Sequence, residues 1–362
     1  MFYFLSFLAA ALVVIVFAYL WLFRSLAWIG RQTKYDAFFS LPLAQRRALR
    51  RQIEGKARWI RLLVLPMTRL GASIPVVDFE GTKVPGICPP ETMAFARDYE
   101  PEEGDIFVAT QMKCGTTWMQ QIVFQILTRG KGEFSDEGYR HMHAISPWIE
   151  SAGSVRLADA PRIEGKRIIK THLATRLCPW SDKAKYIYVV RHPAACLASS
   201  VDFVSKLMGP MAPQRDDFVG WFCSDDMWWG HWADHAEGWW RWSEEHDNVL
   251  FVHYEKLLAD PEAEISRIAD FLGVDLSDEG MAKVVEKSGY QYMKANDHYF
   301  EMSAPTPMDT GDNGFFVKGS SNRGDDISDA DRERVLKDAA ERLRDGRYPA
   351  VDFYPDLYPE NV

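Results

Sequence analysis

The sequence predicts an α/β domain, a parallel sheet flanked by helices, preceded by an N-terminal transmembrane helix and a basic amphipathic helix. Three observations predict it. Short apolar runs bounded by turn residues alternate with stretches of helical period, which implies crossover units and a sheet covered on both faces. The first 23 residues carry no charged side chain. The charge is also unevenly spread. The 362-residue chain has a net charge of −9, yet residues 24–70 hold 11 Lys/Arg against 2 acids, leaving 31 bases and 49 acids elsewhere.

Residues 1–23 would span about 35 Å as a helix, enough for a bilayer core of about 30 Å. A cleaved signal peptide would need a basic leader and a small-residue cleavage site near the end of the apolar run. Here Met1 leads straight into Phe2, Tyr3 and Phe4, and Ala9, Ala10 and Ala11 fall mid-segment, so an uncleaved anchor is expected. Arg24, Arg31 and Lys34 follow it, which places the C-terminal body on the cytoplasmic side. Next, Leu49, Ile53, Ala57, Ile60, Val64 and Met67 recur at steps of three and four, with Arg46, Arg47, Arg50, Arg51, Lys56, Arg58 and Arg61 mostly between them. This period predicts a basic amphipathic helix lying on an anionic leaflet or on the protein's own acidic body, and does not choose between them. The expected organisation is an anchor over 1–23, a basic juxtamembrane segment over 24–75 and one enlarged α/β domain over 76–362.

Within that domain, apolar runs at 105–110, 167–170, 185–190 and 248–253 read as buried strands. Helical stretches follow at about 116–128, 194–205, 231–246, 261–271, 278–287 and 328–344. Residues 300–326, rich in Gly and Pro, read as a long loop of the kind that often carries function. The acidic balance argues against nucleic acid as a partner. With 47% hydrophobic and 26% charged residues, the chain can build a large core, which excludes global disorder. Cys88, Cys114, Cys178, Cys196 and Cys223 are odd in number and scattered, so neither a disulfide framework nor a CxxC zinc site is expected.

The first chemical signal bridges a strand and a helix: Thr110, Gln111, Met112, Lys113, Cys114, Gly115, Thr116, Thr117 and Trp118. A helix N-terminus offers free N–H groups and partial positive charge, so it binds phosphate. Gly115 allows close backbone approach, Lys113 adds a cation, and Thr116 and Thr117 add hydroxyls. Lys113 precedes the glycine, so this is not a Walker A loop. The second signal is Arg191 and Ser199, eight apart after the third body strand, placed to converge on one phosphate. The third is Lys170, Thr171, His172 and Leu173 at the end of the second, where open α/β sheets bind ligands. A neutral imidazole there could accept a hydroxyl proton. His231 and His235, four apart, are a weak zinc pattern without a third ligand.

The three signals, in this order, resemble sulfotransferases that use 3′-phosphoadenosine 5′-phosphosulfate (PAPS), a P-loop family. The resemblance runs from Asp105 to about Asp326. Lys113 to Trp118 is similar to the family's phosphosulfate loop, with Cys114 where serine is usual. It implies that Lys113 stabilises the leaving oxygen, that Lys170 contacts the sulfuryl oxygens and that His172 is the general base. It also implies that Arg191 and Ser199 hold the 3′-phosphate. Trp118, Tyr254, Ser288 and Tyr290 match positions around the adenine, implying an aromatic ring on each side of the purine. Lys318 and Gly319 match part of a C-terminal phosphate-binding segment, but Val317 stands where the family has arginine, and Arg323 is the nearby candidate to replace it. Trp148 and Phe203 match acceptor-pocket walls.

The implied reaction is sulfuryl transfer from PAPS, without metal, to a hydroxyl of a small alcohol or phenol. The membrane tether makes that acceptor lipophilic by expectation. The alternatives from other classes are a P-loop nucleotide kinase or NTPase, and a membrane-tethered nucleotide- or lipid-binding protein without turnover.

Overall fold

The computed structural model describes residues 2–33, 38–69, 76–209, 212–301, 304–308, 324 and 326–358. Helix α1 (Phe2–Gln32) is long and apolar enough to cross a membrane, and its first two-thirds is exposed to the surroundings. Helix α2 (Leu43–Arg69) carries the basic amphipathic pattern. Strands β1 (Val76–Phe79) and β2 (Thr82–Pro85) form a small antiparallel hairpin, followed by α3 (Pro90–Arg97). Glu80 and Gly81, both at positive φ (51° and 77°), make its two-residue turn.

The main sheet is four parallel strands in the order β4–β3–β5–β6. These are β3 (Asp105–Thr110), β4 (Arg167–Thr171), β5 (Lys185–Val190) and β6 (Val249–His253). Alternation along β3 divides the core. Phe107 and Ala109 face one apolar cluster, Ile106 and Val108 the other. The second cluster is covered by α4 (Thr116–Leu127), α8 (Pro261–Leu272) and α9 (Asp278–Ser288). The first is covered by α5 (Pro193–Met208), α6 (Arg215–Phe222), α7 (Trp232–Glu245) and α10 (Asp329–Leu343). The α/β class and the parallel flanked sheet thus agree with the reading of the sequence. The hairpin, α3 and α6 lie outside it, although the Glu80–Gly81 pair between two apolar runs is a hairpin signal.

From β3 the chain crosses to β4 on one side, and from β5 it crosses to β6 on the other. The crevice at the C-terminal ends of β3 and β5 is therefore the topological switch point, where such sheets bind ligands.

The apolar face of α2 lies on the protein. Leu49, Ile53, Ala57 and Ile60 are buried, and Leu49, Ile53 and Ile60 pack with Leu22 and Ile29 of α1, with Phe38 and Phe39, and with Val155 of the body. Arg46 is buried too, donating to the carbonyl oxygens of His298 (2.8 Å) and Arg140 (3.1 Å). The side chain of Met67, and most of the loop expected over 300–326, lie outside the described residues.

Candidate active site

The loop after β3 turns through two left-handed residues, Lys113 (φ 67°) and Gly115 (φ 101°), before α4 begins at Thr116. Gln111 pins the base of this loop by donating to the carbonyls of Trp228 (3.0 Å) and Gly230 (3.2 Å). Cys114 is buried with its sulfur 3.2 Å from that of Cys196, so the thiol sits at a packing position between the loop and α5. A Cβ on Gly115 would lie 2.8 Å from the ring of Tyr254. Glycine is therefore required twice, by backbone and by neighbour.

Thr110 ties this loop to the histidine. Its hydroxyl lies 2.6 Å from that of Thr116, and its carbonyl accepts from His172 Nδ1 at 2.8 Å. Nδ1 therefore carries the proton and Nε2 is left as the basic nitrogen. Burial, and next the nearby Lys170 charge, hold the His172 imidazole well below its usual range, so it is neutral at pH 7. The His172 amide donates to Glu150 Oε1 (2.6 Å), and its carbonyl accepts from His235 Nε2 (2.9 Å). His235 Nδ1 in turn accepts from the Tyr188 hydroxyl (3.0 Å).

Helix α7 acts as a clamp on the strand ends. Besides His235, it supplies Trp232 Nε1 to the carbonyl of Arg191 (3.0 Å) and Trp239 Nε1 to that of Leu173 (3.2 Å). His235 is thus committed through both nitrogens. His231 is as well, since Nδ1 accepts from the Ala233 amide and Nε2 meets Asp338. The zinc pattern is explained by these structural contacts.

Trp148 stands between the two basic groups. Lys170 Nζ lies 3.9 Å from its ring centre, and the His172 ring meets it edge-on at 5.1 Å. Trp229, at a positive φ of 63°, closes the other side of His172 at 4.8 Å. Lys170 is almost fully buried, and burial pushes its ammonium down to about 8, against the opposing pull of Glu150.

Beside the loop, the Arg191 guanidinium stacks 4.4 Å over the Tyr254 ring and reaches the Lys113 carbonyl (3.4 Å). Ser199 is buried on α5. Phe203, expected as an acceptor wall, lies with its ring 4.4 Å from Lys113 Nζ. Trp118 donates to the carbonyl of Ser288 (2.8 Å) and meets Tyr254 edge to face at 5.1 Å. A purine cannot be sandwiched between Trp118 and Tyr254 without parting them. Tyr290 opens the short helix Tyr290–Ala295 that follows Ser288 and Gly289. Lys318, Gly319, Val317 and Arg323 lie outside the described residues.

The structure thus brings together Lys113, Gly115, Thr116, His172, Lys170, Arg191, Tyr254, Trp118, Ser288 and Trp148. Sequence reasoning missed Glu150 and Trp229 as parts of this assembly, read His235 only as a weak metal pattern, and gave Thr110 no role beyond its place at the start of the loop. The histidine- and tryptophan-rich stretch over 230–240 was visible as a motif, but donors to carbonyls of distant strands leave no periodic trace.

Fold and site together define a group-transfer architecture: a P-loop-type parallel sheet with a cationic crevice at its switch point and a neutral histidine beside it. A family model described as a sulfotransferase domain matches residues 103–343. Human sulfotransferase 1C2 is 30% identical over 237 residues, covering 63% of this chain and 78% of that one. A 3-alpha-hydroxysteroid sulfotransferase from Cavia porcellus is 32% identical over 225 residues, covering 60% and 77%. Mouse sulfotransferase SULT7A1, solved in complex with PAP, superposes with a TM-score of 0.60 at 21% identity, covering 79% of this chain and 99% of that one. The chain belongs to the sulfotransferase family.

Proposed function

We propose that the protein transfers a sulfuryl group from PAPS to the hydroxyl of a small lipophilic alcohol or phenol, on the cytoplasmic side of a membrane spanned by α1. One observation carries the reading. His172 Nδ1 is committed to the Thr110 carbonyl, which leaves Nε2 as a neutral base one hydroxyl contact away from the phosphate-binding loop. PAPS supplies an electrophilic sulfur joined to phosphate through a bridging oxygen. The residues present suit it: Lys113 and the N-terminus of α4 for the 5′-phosphate, Arg191 and Ser199 for the 3′-phosphate, and Trp118, Tyr254, Ser288 and Tyr290 for the base. Lys318 and Gly319 would complete the 3′-phosphate grip.

His172 Nε2 takes the acceptor proton as the new oxygen–sulfur bond forms and the bond to the bridging oxygen breaks. Lys113 stabilises the negative charge left on that oxygen, and Lys170 orients the sulfuryl oxygens. Positioning and electrostatics then supply most of the rate, as in phosphoryl transfer. That a steroid sulfotransferase is among the relatives supports a lipophilic acceptor.

The test is transfer of labelled sulfuryl from PAPS to a panel of alcohols, with PAP binding measured without magnesium. A requirement for ATP and magnesium would favour a kinase or NTPase. Tight PAP binding without any turnover would favour a binding protein. Gly115→Ala is expected to weaken PAP binding about 10–100-fold, since a left-handed non-glycine residue costs about 1–2 kcal/mol and Tyr254 must move as well. Titration calorimetry on the folded variant reads it, and unchanged affinity would remove the loop from the nucleotide site. The kcat/KM profile is expected to decline as pH rises through about 8, where Lys170 loses its proton and its charge. Lys170→Arg should move that limb upward. The acid limb belongs to His172 and should lie below the usual imidazole range.

A further inference from the structure

With its apolar face spent on the protein, α2 still exposes a second apolar set. Trp59, Leu62 and Leu65 are 55%, 59% and 39% exposed, clustered toward the C-terminal end of the helix. Arg58, Arg51 and Arg47, all exposed, continue along the outer side toward its N-terminal end. Such a split between an apolar and a cationic end is what the boundary of an anionic bilayer accepts.

Two contacts fix the depth of this face against α1. The Tyr19 hydroxyl donates to the carbonyl of Leu63 (3.4 Å), and Lys56 Nζ lies between the rings of Trp21 (5.8 Å) and Trp28 (5.6 Å). The two helices therefore run antiparallel, and Trp59, Leu62 and Leu65 stand level with the last turns of the uncharged span. If α1 crosses a bilayer, these three side chains enter its headgroup boundary and the arginines meet the headgroups.

The same helix is tied to body segments next to the stretch that reaches His172. Arg46 grips the carbonyls of Arg140 and His298, and Arg61 donates to that of Pro307 (2.9 Å). Phe39, which precedes α2, packs on the rings of His141 (4.4 Å) and His143 (4.8 Å). Val155 shares their apolar cluster. Between His143 and Val155 lie Trp148 and Glu150, which flank His172.

We propose that the outer face of α2 docks into the anionic cytoplasmic leaflet and holds the 141–155 wall of the site toward it, so that the acceptor is a membrane-resident alcohol. This rests on the sulfuryl-transfer reading above for the acceptor, and on α1 alone for the docking.

The test uses the full chain reconstituted in phosphatidylcholine vesicles with and without phosphatidylserine. An environment-sensitive fluorophore is attached at Leu62→Cys in a Cys223→Ser background, and separately at Glu91→Cys on α3 as a control. The label at 62 should shift to the blue and be quenched by brominated lipid, more so with phosphatidylserine, while that at 91 should do neither. The triple variant Trp59→Ser, Leu62→Ser, Leu65→Ser should sulfate a vesicle-embedded sterol about tenfold more slowly, with a water-soluble phenol changed less than about twofold. A water-exposed label at 62, or one shielded from lipid by 62–62 cross-linking between two copies, would overturn the docking. Equal loss on both acceptors would overturn the leaflet route. A lipid-quenched label at 62 with no transfer to any alcohol would instead leave the docking standing and sink the sulfotransferase activity.

Discussion

Replacing His172 with alanine is expected to lower kcat about 10²–10⁴-fold, the range for loss of a positioned general base, while PAP affinity changes little. The reason is geometric. The ring is held by Nδ1 on the Thr110 carbonyl and packed between Trp148 and Trp229, so its one remaining lone pair has a single direction. Burial keeps it neutral, so nearly every molecule is in the active form at pH 7. The backbone at 172 keeps its bonds to Glu150 and His235 in the variant, which limits the damage to the side chain's own role. Single-turnover transfer with a phenol acceptor measures the effect. Wild-type turnover in the variant would show that the acceptor proton leaves by another route.

Lys113→Ala should lower kcat about 10²–10³-fold, as when a preorganised electrostatic donor to developing charge is removed. Alanine occupies the left-handed φ of 67° at much the same backbone cost as lysine, so the loop keeps its course and Arg191 keeps the carbonyl at 113. What is lost is the ammonium, held 4.4 Å from the Phe203 ring at the mouth of the loop. In the proposed reaction the charge it serves develops on the leaving oxygen, so the loss should fall on kcat more than on PAP affinity. Pre-steady-state kinetics beside PAP titration separates the two. A large loss of affinity with kcat intact would make Lys113 a binding residue only.

Much of this site was legible because the residues proposed for phosphate binding are close together in sequence. Lys113, Gly115 and Thr116 share one short loop at a helix N-terminus, and Arg191 and Ser199, proposed for a second phosphate, lie just before and about two turns into the helix Pro193–Met208. His172 was legible as an imidazole at a strand end, but the proposal that it acts as base needed the partner of Nδ1. That partner is 62 residues away, across the β3–β4 pairing. His235 was read as a weak metal pattern because spacing alone cannot distinguish a ligand from a donor to the His172 carbonyl.

The basic arm divides in the same way. By itself, the sequence determined that an uncharged span precedes a cationic amphipathic helix and an acidic α/β body, since charge and helical period are properties of neighbours along the chain. Only the tertiary structure decided that Leu49, Ile53 and Ile60 face the protein while Trp59, Leu62 and Leu65 face outward. Both sets are apolar, and hydrophobicity has no direction until a partner surface is present to bury one of them.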